Sequence, residues 1–289
     1  MAIAYAGLGN AYDRYGNFDD AIAWYDRALE RAGLILQKWG RTALGAVYFS
    51  RGRAYHRTLK YRCIQDYEQA YRYDPRLANI SMHLATAYLQ AEKWAEAGEM
   101  ATRSIQAVEK KLKKAPWDYR AYLTRARYYA QIGNYQANID DLNAALSLAP
   151  FTDPDIFLLI GKAWAGIGAN EATRYFDRAI ATCDRLIDQP QAMKPSYTVY
   201  NTRGLAKLEL GQIGGAMADF NQTVKLAPEK YPFAHTHYRT EGLKNLGLAS
   251  IKQDDRKAAG EYFQKALALA EAEGLEFAVT ELQRIKAWD

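Results

Sequence analysis

The chain has 289 residues, 25% of them charged and 49% hydrophobic, which is the balance of a folded protein rather than a disordered one. Its formal net charge of +5 is spread along the sequence and by itself does not point to nucleic acid. No apolar run approaches the roughly 18 residues a membrane span needs, and Met1–Ala6 lacks the charged and apolar regions of a secretory signal, so the chain reads as soluble with no membrane partner.

Self-similarity organises everything that follows, because a fixed period means stacked units. An aromatic residue, a small residue four positions on and another aromatic three further recur as Tyr5/Gly9/Tyr12, Tyr48/Gly52/Tyr55, Tyr122/Ala126/Tyr129 and Phe157/Gly161/Trp164. Weaker copies are Ala85/Tyr88, Tyr200/Gly204 and Gly247, with steps of 43, 33, 41, 35, 43 and 43 between the small residues. Much of the tally of 22 Tyr belongs to this pattern.

In chain order the first unit is expected over 2–38, its helices separated by Gly16-Asn17, with a lengthened second helix over 20–38. The second is expected over 45–75 and ends at Pro75; the third over 78–114, with a long second helix over 95–114. The fourth spans 119–150 around the turn Gly133-Asn134 and the fifth 154–188. The sixth spans 197–228 around Gly211-Gln212 and the seventh 240–271. Leu275, Ala278, Val279, Leu282 and Ile285 then recur at helical spacing and predict a capping helix over 275–287. The helical pattern starts at Ala2 with no covering helix, so either residues precede it or this edge pairs with another copy of the chain.

Close packing explains the pattern. A Gly or Ala in each first helix lets the second approach, and the small residues expected to meet it are Ala21, Cys63, Ala97, Asn138, Ala172, Ala216 and Ala259. Large residues follow one turn later at Tyr25, Tyr67, Leu142, Phe176, Phe220 and Phe263. Departures stand at Ser81, Ala101, Asn138, Lys207 and Ser250, and the turns of the second and fifth units are one residue short.

Candidate chemistry is thin. Gly7-Leu8-Gly9 has no preceding strand, and Gly161-Lys162 lacks the glycine spacing and the Ser or Thr of a phosphate loop; both are repeat glycines. Among His56, His83, His235 and His237 only the last two are close in sequence, with no cysteine or spaced carboxylate to complete a zinc site. Asp19/Asp20, Asp140/Asp141 and Asp254/Asp255 fall at turns or early in second helices and read as structural. Cys63 and Cys183 lie 120 residues apart and read as buried thiols, for which a reducing cytoplasm is the simplest setting, export with a removed signal being the other. No catalytic set, metal site or cofactor is expected.

The order of small and aromatic residues resembles the tetratricopeptide repeat family over nearly the whole chain. The resemblance implies an all-α fold, a right-handed superhelical solenoid of antiparallel helix pairs forming a single domain over 1–289. It also implies that first helices line a concave groove that holds a protein or peptide partner. The groove residues it selects include Phe49, Arg53, His56 and Arg57 in the second unit, and Asn79, His83, Thr86 and Gln90 in the third. Arg120, Arg127 and Gln131 follow in the fourth, Lys162 in the fifth and Asn201 in the sixth. The concentration of Arg53, Arg57, Arg120, Arg127 and Lys162 suits an acidic or carboxylate-terminated segment. The two-carboxylate clamp of some relatives is not expected: Asn10 fits it, but Ala6, Ser50, Asn79 and His83 stand at its other positions. An adaptor or assembly scaffold is the leading reading. A helical repeat protein binding RNA through its basic face, or a receptor for a short signalling peptide, is the alternative. Lys110, Lys111, Lys113 and Lys114 read as a solvated helix end.

Overall fold

The computed structural model describes residues 1–77, 80–148, 154–188, 197–227 and 236–286. Among them are fifteen helices and no strand. The helices are α1 (Ala2–Arg14), α2 (Phe18–Leu29), α3 (Ala32–Arg57), α4 (Arg62–Tyr73), α5 (Ile80–Gln90), α6 (Trp94–Leu112), α7 (Tyr119–Gln131) and α8 (Tyr135–Leu148). They continue as α9 (Pro154–Gly166), α10 (Glu171–Asp188), α11 (Tyr197–Glu209), α12 (Ile213–Leu226), α13 (Thr236–Lys252), α14 (Arg256–Ala272) and α15 (Glu276–Lys286). The described residues divide into two compact units. Unit 1 contains Met1–Ser104 and Ala270–Glu281; unit 2 contains the described parts of Ile105–Glu229, Thr236–Leu269 and the residues from Leu282.

Every helix pair turns in the same way. Seven residues after each small residue the backbone enters the left-handed region, at Gly16, Leu59, Glu92, Gly133, Gly168, Gly211 and Asp254. The next amide donates back five residues, as in Asn17 N–H to the Tyr12 carbonyl and Lys60 N–H to the Tyr55 carbonyl, which closes the first helix with a Schellman-type cap. The two short turns lose their residue after this point. In five pairs the small residue of the second helix donates four residues back, as Ala21 does to Asn17; Cys63 and Ala172 donate only three back, to Lys60 and Ala169.

Two details of the packing differ from expectation. The first-helix glycines meet the second-helix aromatic ring, not its small residue: a Cβ on Gly161 or Gly204 would lie 2.6 Å from the ring of Phe176 or Phe220. The helix expected over 20–38 is broken, because α2 stops at Leu29 and Arg31 leaves helical geometry. The inserted residues instead open α3, anchored by the fully buried Ile35 and bent at Gly40, whose φ of 81° glycine tolerates without a Cβ clash.

The polar departures each have a partner. Asn138 is buried and its amide donates to the Ala126 carbonyl at 2.7 Å, within the gap an alanine would fill elsewhere. Ser104 donates to Ser81 at 3.1 Å beside Ala101, and Ser250 donates to the Leu246 carbonyl. Lys207 takes the place of an aromatic and bonds Asp219 at 2.8 Å.

That last contact belongs to a wider arrangement. The residue before each first-helix small residue reads Leu8, Arg51, Leu84, Arg125, Ile160, Arg203 and Leu246. The residue before the second-helix aromatic, or its replacement, reads Trp24, Asp66, Met100, Asp141, Tyr175, Asp219 and Tyr262. Even pairs are therefore Arg–Asp and odd pairs apolar. Arg51, Arg125 and Arg203 each grip their aspartate with two bonds of 2.5 to 2.9 Å. Arg51 also bonds Asp26 on α2, and Arg203 bonds Asp184 on α10, both at 2.6 Å, so one guanidinium fastens a helix pair to the preceding one. Asp141 is thus a buried partner in mid-helix and not the helix-start carboxylate expected from its position. Asp19 and Asp20 do lie in the first turn of α2, and Asp255 caps α14 by accepting from Ala258 N–H.

Candidate functional site

In unit 1 the expected groove residues form an aromatic cluster. Phe49 is buried, with its ring 5.8 Å from Tyr67 and 5.0 Å from His83. His83 lies 5.4 Å from Tyr67 and 6.5 Å from His56, whose Nδ1 is 3.2 Å from the Tyr67 hydroxyl. Burial pushes the His83 pKa down to about 4, helped by the charges of His56, Arg53 and Arg57. Burial also lowers that of His56, against the opposing bond from Gln90. The His83 imidazole is consequently neutral at pH 7. Arg53 is ion-paired to Asp13 at 3.3 Å, Arg57 lies over the Phe18 ring, and Thr86 bonds back to the Met82 carbonyl. Asn79 lies outside the described residues.

In unit 2 the same register places Arg127 and Lys162 on one cavity of about 210 Å³. Its lining is completed by Leu123, Ala130, Tyr135, Asn138, Leu142, Leu159 and Ala163, and includes no carboxylate. α7 supplies Leu123, Arg127 and Ala130 from positions spaced three to four apart, and α9 supplies Leu159, Lys162 and Ala163 in the same way. The floor rests on the core of Ile139, Leu142, Ile156 and Ile160. Arg127 and Lys162 are exposed and make no ion pair among the described residues, whereas Arg125, two residues away, is held by Asp141 above its ordinary pKa. Arg120 is exposed and turned to Tyr119, the Gln131 side-chain oxygen is buried without a hydrogen-bond partner, and Asn201 accepts from Asn245 at 3.0 Å.

Spacing alone did not reveal Tyr135, which starts α8, or Asn138 as cavity walls. Both come from second helices, which the groove register leaves out.

The cysteines are poor nucleophiles: both are buried, and burial pushes each thiol up to about 12. Among the described residues no group of three or more His, Cys, Asp or Glu could hold a metal ion, and His235 lies outside them. No described helix is long and apolar enough to cross a membrane.

Tetratricopeptide repeat models match residues 2–32, 119–152, 197–230 and 243–273. These segments are tetratricopeptide repeats. A tetratricopeptide repeat protein from Parabacteroides merdae ATCC 43184 is similar in fold, with a TM-score of 0.59 at 16% identity over 96% of this chain and 98% of that one. MamA MSR-1 aligns at 18% identity and a TM-score of 0.48, covering 64% of this chain and 97% of that one. The APC/C hetero-tetramer Cut9-Hcn1 aligns at 18% and 0.48, covering 97% of this chain and 49% of that one. No curated protein matches in sequence. Tetratricopeptide repeats support a protein–protein interaction scaffold.

Proposed function

We propose that this scaffold holds a partner protein by a segment in which a carboxylate adjoins an apolar side chain, and that the cavity between α7, α8 and α9 receives it. The observation that carries the reading is that Arg127 and Lys162, which make no ion pair among the described residues, line one cavity over an apolar floor. A cavity of 210 Å³ exceeds the roughly 150 Å³ that accommodates benzene in a protein core. It falls short of the roughly 300 Å³ at which small-molecule sites begin. One branched or aromatic side chain fits it better than a cofactor does. Arg127 offers a planar fork for two parallel bonds to a carboxylate, and Lys162 adds a mobile point charge. The carboxylate can be an Asp or Glu side chain or a free C-terminus, since both present the same two oxygens.

Selection from a random peptide library tests this. Sequences with Asp, Glu or a free C-terminal carboxylate next to Leu, Ile, Val or Phe are expected to enrich on the wild type and to lose at least tenfold in affinity on R127E/K162E, about 1.4 kcal/mol. Enrichment of basic or purely polar sequences, or equal binding to both proteins, would overturn the assignment. Preferential capture of RNA with a steep salt dependence would favour the basic-face reading instead.

A further inference from the structure

The turn between α3 and α4 in unit 1 is occupied by a segment 215 residues away in sequence. α14 closes at Gly274, whose φ is 64°, and Leu275 N–H bonds the Ala270 carbonyl, so the chain reverses and starts α15 against that turn. There Phe277 N–H, a first-turn donor with no partner inside its own helix, bonds the Leu59 carbonyl at 3.0 Å. In the opposite direction Tyr61 N–H donates to the Glu276 carboxylate at 2.6 Å, and the Tyr61 hydroxyl donates to Thr280 Oγ1 at 2.7 Å. The Phe277 ring meets Tyr61 edge-on at 4.4 Å and lies 6.2 Å from His56. Leu275 and Phe277 are both buried.

The receptor surface depends on the local sequence of this turn. It is one of the two that are a residue short, and Leu59 holds the left-handed position where glycine stands in four of the others. The Leu59 carbonyl and the Tyr61 amide are both engaged by the incoming helix start. A terminal helix that only covered the last repeat would need none of these polar contacts.

We propose that the α3–α4 turn is a receptor for a helix that begins with an acidic residue followed by an aromatic one and a hydroxyl three residues later. Residues 275–281 are its resident ligand, and a partner helix of the same chemistry binds by displacing them. The main-chain bond and the carboxylate read the start of a helix, and the Tyr61 face reads the aromatic ring. This surface lies within unit 1 and is independent of the Arg127/Lys162 cavity.

The test uses the full chain and a fluorescent peptide with the sequence of residues 270–286. Wild type, with its own segment in place, is expected to bind the peptide weakly. E276A/F277A, whose resident ligand is weakened, is expected to bind at least tenfold more tightly, and adding Y61A should abolish the gain. T280V, which removes one hydroxyl at constant shape, should give an intermediate gain and serves if the double variant is misfolded. Amide exchange at Tyr61 should slow when peptide is added to the weakened variants. Equal weak binding by wild type and by folded E276A/F277A and T280V would overturn the proposal, as would tight binding insensitive to Y61A.

Discussion

Arg125 on α7 donates two hydrogen bonds, of 2.7 and 2.6 Å, to Asp141 on α8 across a helix interface where the neighbouring pairs carry apolar residues. Asp141 is buried, and its oxygens are spoken for by a guanidinium that also lies near the rings of Tyr122 and Tyr129. Removing one partner strands the other. Asp141→Ala is expected to cost about 2–3 kcal/mol in urea unfolding, because the partly buried Arg125 charge is left without its partner. The double change Arg125→Leu/Asp141→Met reproduces the Leu84 and Met100 of the preceding pair and is expected to stay within about 1 kcal/mol of wild type. A double variant as unstable as the single one would show that the ion pair, and not the filled space, holds the interface.

Glycine has different consequences at two helical sites. At Gly161 a methyl group would meet the Phe176 ring, so Gly161→Ala is expected to lower stability by about 1–3 kcal/mol through overpacking. Gly7 sits at an exposed position of α1 with nothing within 4 Å of a new Cβ, and Gly7→Ala is expected to raise stability by about 0.5–1 kcal/mol. Thermal melts of the two variants should therefore shift in opposite directions.

His83 makes stability depend on pH. Folding pushes its pKa down to about 4, so between its ordinary value near 6.5 and that point the unfolded chain binds more protons. Stability is expected to fall as pH is lowered through this window, with His56 acting in the same direction. His83→Gln should flatten the fall in Tm between pH 7 and pH 5; an unchanged slope would place the acid sensitivity elsewhere.

The repeat was legible because its causes are local: small residues at a period near 34 let two helices approach, and turn residues follow at a fixed distance. Even the missing residue in the second and fifth turns was visible, and it corresponds to a tighter bond at Cys63 and Ala172. The alternation of Arg–Asp and apolar pairs was equally present in the sequence but needed two repeats to be compared at once. Other features depend on residues far apart in the chain. Nothing in the spacing of Leu275–Ile285 indicates that Phe277 meets Tyr61, and a register drawn on first helices alone leaves out the Tyr135 and Asn138 walls of the cavity. In unit 1 Arg53, one of the cations expected in the groove, is paired with Asp13, a partner that lies in a different repeat.

The most direct test of the proposed partner site is methyl NMR of the full chain titrated with a library-selected peptide bearing a carboxylate beside an apolar side chain. Methyl signals of Leu123, Leu142, Leu159 and Ala163 are expected to shift together and saturate, and to stay still when R127E/K162E is titrated with the same peptide. Saturable binding that leaves those four residues unmoved would contradict the account.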